Sequence, residues 1–161
     1  MMPMRMLVVL MLCGALCAAP AAAEDRPPTV SQAELQDRIA QSRGTPLMVV
    51  YWASWCAPCR RYRAKADAVR GRYPESRLHM LGVSLDANRD RAAAYLTRQP
   101  LPYPTVFADT ALIAARLGKA VPTTVLYRRD GTVERELIGD VSEKRLDHYI
   151  RRIVEERCGT P

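Results

Sequence analysis

The sequence predicts an α/β fold in which helices flank a mixed central β-sheet. Apolar, partly β-branched runs, as expected of strands buried on both faces, alternate with segments whose apolar residues recur every three or four positions. The alternation closes with two strands joined by a short turn and a last amphipathic helix, which adds antiparallel strands to a parallel sheet. With 161 residues, 48% of them hydrophobic, the chain is long enough for one domain with a core.

The N-terminal segment has the composition of an export signal. Arg5 is its one charge, an apolar run covers 6–19, and small residues fill 21–23 before the first acidic residue. This pattern predicts a signal peptide over residues 1–23 that is cleaved after Ala23, and hence a periplasmic protein.

A retained membrane anchor is the alternative interpretation of the same segment. Gly14, Pro20 and the alanine-rich end make it a poor membrane span, because such a span needs about 20 apolar residues. Residues 24–30 are polar and contain prolines, so we expect a short tether there. The ordered domain is then expected to cover residues 31–158.

The chain is basic, with a formal net charge of +7. A solvated arginine-rich surface explains this charge, and attraction to anionic lipid head groups or to an acidic partner is the alternative. We expect no binding to nucleic acid, since the sequence contains no dense basic tract with interleaved aromatic residues.

Two helices and an intervening strand are predicted in the first half of the domain. Ser31 and Glu34 have the form of a capping box, and the helix that they begin ends at Gly44. A buried strand follows over 46–52, and a second helix runs from 58 to 73. That helix buries one stripe of residues, namely Cys59, Tyr62, Ala66, Val69 and Tyr73. Its other face carries Arg60, Arg61, Arg63, Lys65 and Arg70.

The second half continues the alternation and then adds a hairpin. In chain order, the predicted elements are a strand over 78–85, a helix from Asn88 to 98, a short strand over 106–107, a helix over 110–117, strands over 125–127 and 133–138, and a terminal helix that begins at Ser142. Asp109 caps the helix that Gly118 ends. Residues 129–131 form the hairpin turn.

Two cysteines separated by two residues stand where the first buried strand meets its helix. Cys56 lies at the first helical turn, where unpaired backbone N–H groups and the positive end of the helix dipole favour a thiolate. Cys59 is one turn further along and near enough to close a disulfide. We therefore expect a reversible dithiol in which one sulfur attacks and the other resolves. The basic residues after Cys59 either strengthen the positive field there or form a solvated face.

A zinc site is the alternative use of the two thiols. Tetrahedral zinc requires four ligands, and only His79, His148 and Cys158 remain as further candidates, without a second cysteine pair. We therefore expect no metal and no cofactor, and we assign neither histidine a role. Cys158 is the odd thiol, which is either incidental, a cross-link between two chains or a third redox sulfur.

Several motifs taken together resemble the thioredoxin superfamily. They are Tyr51-Trp52-Ala53-Ser54-Trp55-Cys56-Ala57-Pro58-Cys59-Arg60, Val83-Ser84-Leu85-Asp86, Tyr103-Pro104, Val121-Pro122-Thr123-Thr124 and Asp130-Gly131, in this order. The stretch between 86 and 117 resembles the helix–strand insertion of TlpA-like and ResA-like exported thiol:disulfide oxidoreductases. The resemblance covers residues 46–154 and implies a thioredoxin-like fold with a TlpA-like insertion.

The resemblance implies that Cys56 and Cys59 are the catalytic residues and form a redox-active disulfide. Cys56 would be the exposed nucleophile that attacks a protein disulfide. Cys59 would be the shielded resolver that displaces the reduced product.

The resemblance also implies which residues contact a substrate. Pro122 would be cis, which leaves the backbone of Val121 to pair with a substrate strand beside the active sulfur. Trp55 would cover the site, whereas Trp52 is expected in the core.

Two positions depart from the pattern of the family. Thioredoxin has a buried aspartate where this chain has Val50, and ResA-like proteins often have a glutamate where this chain has Tyr62. The usual carboxylate for proton handling at the buried cysteine is therefore missing. A third departure is the helix from Ser31, which replaces the β-hairpin that precedes the core in many TlpA-like proteins.

The function implied by the resemblance is that of an exported thiol:disulfide oxidoreductase. Reduction of envelope-protein disulfides is the expected direction, because the Ala-Pro dipeptide and the insertion resemble the reducing branch, which can serve cytochrome c maturation or copper-site assembly. The expected partners are protein disulfide or thiol substrates and a membrane electron donor, and we expect a monomer. The alternatives are a copper-binding or non-redox binding module of this fold, and a disulfide oxidase.

Overall fold

The structure is a computed structural model that describes residues 26–116 and 118–156. In this part of the chain, six strands and five helices alternate. The strands are β1 Thr29–Val30, β2 Leu47–Trp52, β3 His79–Ser84, β4 Thr105–Ala108, β5 Thr123–Tyr127 and β6 Val133–Ile138. The helices are α1 Gln32–Gln41, α2 Ala57–Arg72, α3 Arg89–Arg98, α4 Thr110–Ala115 and α5 Glu143–Glu155.

The strands form one mixed sheet in the order β1-β4-β3-β2-β5-β6. The first four strands of that order are parallel, while β5 is antiparallel to β2 and β6 is antiparallel to β5. The predicted mixed central sheet is confirmed. The unit α3–β4 corresponds to the expected insertion, and it places β4 between β1 and β3.

Two apolar layers hold the sheet between the helices. β2 is buried along its whole length, and its side chains alternate between the two faces. Met48 and Val50 pack with residues of α2 and α5, whereas Leu47 and Val49 pack with residues of α1 and α4. The burial of β2 on both faces fixes the point at which the chain leaves the sheet and enters the cysteine loop.

Side-chain caps fix the starts of the helices. Ser31 and Glu34 form the predicted capping box of α1, in which the Glu34 carboxylate accepts from the backbone N–H of Ser31 at 2.7 Å. Asp109 accepts from the N–H of Leu112 at the start of α4. That helix ends at Ala115, earlier than the predicted end at 117.

The expectation of a tether over residues 24–30 is wrong for the end of that segment, because part of it belongs to the sheet. Thr29 and Val30 form β1 and pair in parallel with Phe107 and Ala108 of β4, and Val30 is buried. A strand of two residues is too short to show a period in the sequence, and its formation depends on the distant edge of β4. The ordered domain therefore begins before Ser31.

Two predictions concern residues outside the described ranges. The signal peptide over 1–23, with its cleavage after Ala23, and the odd thiol Cys158 lie there and stay predictions. Among the helices that the structure describes, none combines the length and the apolar character that crossing a membrane requires.

Candidate active site

Cys56 and Cys59 lie where the chain leaves β2 and enters α2. Cys56 is the N-cap residue of α2, and its Sγ accepts from the backbone N–H of Cys59 at an S···N distance of 3.0 Å. The two sulfurs are bonded to each other, with the Cα atoms 5.2 Å apart, a separation typical of disulfides. The positive end of the α2 dipole therefore faces the Cys56 sulfur, which favours its thiolate when the disulfide is reduced.

The burial of Cys56 corrects the expectation that it is exposed, whereas Cys59 is shielded as expected. In the disulfide form, Cys56 is 3% exposed and Cys59 is 8% exposed. Both pack with Trp52 and Ala53, and the half-buried Val121 packs against the same cluster. The sequence predicted that Cys56 lies at a helix start. It did not predict that Val121, in a loop 65 residues further along the chain, covers the Cys56 sulfur.

The loop before β5 lies directly against the Cys56 sulfur. The carbonyl oxygen of Val121 is 3.4 Å from Cys56 Sγ. The Val121–Pro122 peptide bond is cis, which confirms the expectation for Pro122. The carbonyl of Pro122 accepts from the N–H of Gly139 at 2.7 Å, so this loop is attached to the end of β6. The main chain of Val121 is therefore held beside the reacting sulfur.

The two tryptophans occupy opposite environments. Trp52 is 5% exposed, as expected of a core residue, and its ring centroid is 5.5 Å from that of Tyr95. Trp55 is 61% exposed, which leaves most of its indole in solvent instead of covering the site as expected. An exposed aromatic ring next to the disulfide suits a contact with a bound molecule better than a lid.

Asp86 is a site residue to which the sequence reasoning gave no role. It is 2% exposed, and its carboxylate accepts from the backbone N–H of Ser54 at 2.9 Å and from the Ser54 hydroxyl at 2.6 Å. The Ser84 hydroxyl also donates to it, at 2.8 Å. Asp86 thus ties the loop before Cys56 to the end of β3. The sequence does contain a pattern that indicates this contact. Ser54 and Asp86 each follow one of two neighbouring parallel strands, and the ends of such strands meet at one edge of the sheet.

The two positions without the family's carboxylates are both buried. Val50 is 2% exposed and Tyr62 is 1% exposed. The Tyr62 hydroxyl lies 2.6 Å from the hydroxyl of Thr124 on β5. Burial raises the pKa of the Tyr62 phenol far above its usual value, so it stays protonated at neutral pH. Neither position supplies a base for Cys59.

Three of the five basic residues predicted on the outer face of α2 contact a carboxylate. Arg61 and Lys65 both contact Asp140, at 3.3 Å and 2.6 Å, and Arg63 contacts Asp67 at 3.6 Å. The hydrogen bond from Lys65 is the main cause that lowers the pKa of the Asp140 carboxyl. These pairs reduce the positive field that the basic face contributes near the disulfide.

The remaining candidates lie apart from the disulfide. His79 begins β3, and the ring of His148 on α5 is edge-on to Tyr149 with centroids 5.1 Å apart. Within residues 26–116 and 118–156, no group of three or more histidine, cysteine, aspartate or glutamate side chains is arranged to hold a metal ion.

Comparison with known proteins identifies relatives of this chain that are named thiol-disulfide oxidoreductase or thioredoxin. ResA, a thiol-disulfide oxidoreductase of Bacillus cereus, is 21% identical over 112 residues, which cover 69% of this chain. The chain spans 65% of the length of that relative.

Two solved structures have the same fold. One is a Chlorobium tepidum protein assigned as a thiol:disulfide interchange protein of the DsbE type, with a TM-score of 0.65 and 24% identity over 72% of this chain and 84% of that one. The other is a secreted disulfide oxidoreductase of Mycobacterium tuberculosis homologous to DsbE of E. coli, with a TM-score of 0.59 and 20% identity over 70% of this chain and 85% of that one. The family model of the thioredoxin-like domain matches residues 33–153, more than half of the chain. The chain therefore belongs to the thioredoxin-like domain family.

Proposed function

We propose that this protein is a thiol-disulfide oxidoreductase that exchanges the Cys56–Cys59 disulfide with protein disulfides and thiols. The observation that carries the proposal is a cysteine pair bonded at the start of α2, with the backbone of Val121 3.4 Å from the Cys56 sulfur. A disulfide beside a strip of main chain that a cis-proline turns is suited to a polypeptide substrate. The oxidoreductase names of the relatives support the same activity.

The reaction begins from the reduced pair. The Cys56 thiolate, favoured by the helix start, attacks one sulfur of the substrate disulfide, and the other substrate sulfur leaves as a thiolate that takes up a proton. Cys59 then loses its proton and attacks the Cys56 sulfur of the mixed disulfide. The Cys56–Cys59 disulfide forms, and the second substrate sulfur leaves. Two electrons pass from the protein to the substrate.

Three residues around the disulfide are proposed to hold the substrate. The backbone of Val121, turned by cis-Pro122, would pair with an extended segment that brings its disulfide to Cys56. Trp55 would contact the same segment, because its indole is exposed on the chain just before Cys56.

We further propose that the protein works in the periplasm as a reductase recharged by a membrane electron donor. The leader-like segment over 1–23 and the secretion of the Mycobacterium tuberculosis relative support export. The α3–β4 unit, which resembles the insertion of the reducing branch, supports the direction. Envelope proteins, including those of cytochrome c or copper-site assembly, are the proposed substrates, and a monomer is the proposed state.

Reduction of insulin disulfides tests the activity. Cys56→Ser and Cys59→Ser are each expected to lower the rate at least about a hundredfold, because each removes one of two sulfurs that act in sequence. Cys158→Ser is the matched control and is expected to keep the rate. Full activity of both active-site variants would contradict the proposal and would leave a binding module as the function.

The reduction potential measured against glutathione tests the direction. A reductase is expected near the value of about −270 mV found for thioredoxin. A value near about −120 mV, as for a strong oxidant, would contradict the reductase and favour the oxidase.

A further inference from the structure

A glycine makes room between two polar side chains next to the buried cysteine. Val50, Gly82 and Thr105 lie opposite one another on the adjacent strands β2, β3 and β4, so they form one row across a single face of the sheet. A Cβ atom at Gly82 would lie 2.7 Å from Thr105 Oγ1 and 3.3 Å from Trp52 Nε1. The row thus begins at Val50, where the family's aspartate is missing, and ends at a hydroxyl.

The two polar atoms that converge at Gly82 have no hydrogen-bond partner among the described residues. Trp52 Nε1 and Thr105 Oγ1 are both buried and unpaired. Their distances to the same point limit the separation of the two atoms to about 6 Å at most, and one water molecule can bridge two polar atoms up to that far apart with two hydrogen bonds. Buried polar groups that no protein atom satisfies are commonly satisfied by an ordered water.

A cavity of about 20 Å³ lies beside Cys59 and the indole of Trp52, the first member of this pair. Its lining includes Cys59, Trp52, Tyr62, Tyr103 and Leu101, and its volume is sufficient for one water molecule. Leu101 and Tyr103 also line an open groove of about 810 Å³ whose wall contains Thr105. Leu101 and Tyr103 therefore line both the cavity at Cys59 and the surface groove, and Thr105 lines the groove.

We propose that Cys59 exchanges its proton with solvent through a water held between the indole N–H of Trp52 and the hydroxyl of Thr105, and through the groove beyond it. The inference rests on the proposed function and assigns the proton step of that reaction. When the mixed disulfide resolves, the Cys59 thiol gives its proton to this water, which passes a proton to the groove. The Cys59 thiolate then attacks the Cys56 sulfur and the substrate thiolate leaves. In the reverse direction, Cys59 leaves as a thiolate and takes a proton from the same water.

The groups around the cavity fit a route without a carboxylate. α2 contributes Tyr62 and Arg63, α3 contributes Tyr95, and the loop before β4 contributes Tyr103. Burial raises the pKa of the Tyr62 and Tyr103 phenols, which therefore donate hydrogen bonds and do not act as bases near neutral pH. The guanidinium of Arg63 is paired with the carboxylate of Asp67, and a guanidinium stays protonated and accepts no proton. No carboxylate is among the described residues that line the cavity, so in this proposal a water carries the proton away.

The test separates the two steps of oxidation by excess oxidised glutathione. Acid quenching and mass spectrometry follow first the mixed disulfide at Cys56 and then its closure by Cys59. Below the pH at which Cys59 ionises, Thr105→Val and Gly82→Ala are each expected to slow closure at least about tenfold. Formation of the mixed disulfide should change by less than about twofold, because it needs only Cys56. Thr105→Ser keeps the hydroxyl and should close at the rate of the unchanged protein.

Gly71→Ala is the matched control for the glycine change, because a Cβ there meets no atom within 4 Å. Closure at the unchanged rate in both Thr105→Val and Gly82→Ala would overturn the inference while the proposed function stands. An equal loss in Thr105→Ser and Thr105→Val would also overturn it, since the hydroxyl would then be irrelevant. If the unchanged protein forms no mixed disulfide at all, the proposed function fails, and the inference fails with it.

Discussion

The two cysteines of the disulfide are three residues apart and both buried, yet their surroundings differ in kind. Cys56 caps α2, contacts the carbonyl of Val121 and follows a loop that Asp86 holds through Ser54. Cys59 lies on the inner stripe of the helix, beside a cavity lined by aromatic side chains. Main-chain dipoles therefore surround one sulfur and apolar rings the other. We therefore propose that electrostatics, and not exposure, separates the attacking from the resolving sulfur.

The largest expected effect comes from removing one cysteine at a time. Cys59→Ser should keep the attacking sulfur and accumulate a stable mixed disulfide with protein substrates, because the resolving sulfur is absent. Cys56→Ser should form at least about a hundredfold less of such adducts. Non-reducing electrophoresis of each variant with a disulfide substrate measures the difference. Equal trapping by both variants would show that the two sulfurs are interchangeable.

Loosening the Cys56 side is expected to have the next largest effect. Asp86→Asn replaces a carboxylate that accepts three hydrogen bonds at a buried position, and it should lower the free energy of unfolding by about 1–3 kcal/mol. Urea denaturation measures this change. Asp37→Asn, at an exposed position on α1, is the control and should stay within about 0.5 kcal/mol of the unchanged protein. If both variants are equally stable, Asp86 does not brace the loop.

A change beside Cys59 should be smaller and should leave the chemistry of Cys56 intact. Tyr62→Phe removes the buried hydrogen bond to Thr124 and should destabilise the fold by about 1–2 kcal/mol. Because the Thr124 hydroxyl loses its partner, the double variant with Thr124→Val should recover part of that loss. Urea denaturation of the two single variants and the double variant gives the coupling free energy between the two hydroxyl groups. Strictly additive losses would contradict the contact.

The smallest effect on stability is expected at the exposed tryptophan. Trp55→Ala should change the free energy of unfolding by no more than about 0.5 kcal/mol, since its indole is 61% exposed. It should instead raise the KM for a protein substrate several-fold and leave the reaction with a small disulfide unchanged. Steady-state kinetics with both substrates decides between a substrate contact and an inert ring. An equal effect on both substrates would contradict the proposed contact.

The sequence predicted most of the fold because the signals concerned are local. The capping box at Ser31, the apolar run of β2 and the buried stripe of α2 each depend on neighbours within a few residues. The strand at Thr29 escaped prediction because its partner lies on β4, far along the chain. Local patterns thus predict individual helices and strands. The strands at the edge of the sheet depend on contacts between residues far apart in the chain, which no short pattern predicts.

The candidate site was predictable in its chemistry but not in its surroundings. The spacing of Cys56 and Cys59 indicated a dithiol, and the resemblance supplied cis-Pro122. The burial of Cys56 and the bonds of Asp86 to Ser54 required the packing of separate loops. The convergence of Trp52 and Thr105 at Gly82 likewise depends on strand register, which a single sequence does not fix.

The most direct test of unequal cysteines is alkylation of the reduced protein by iodoacetamide at neutral pH, followed by peptide mass spectrometry. Helix-start electrostatics predict that Cys56 is modified at least about tenfold faster than Cys59, although Cys56 is 3% exposed in the disulfide form. Faster modification of Cys59, or equal rates at the two sulfurs, would contradict the account.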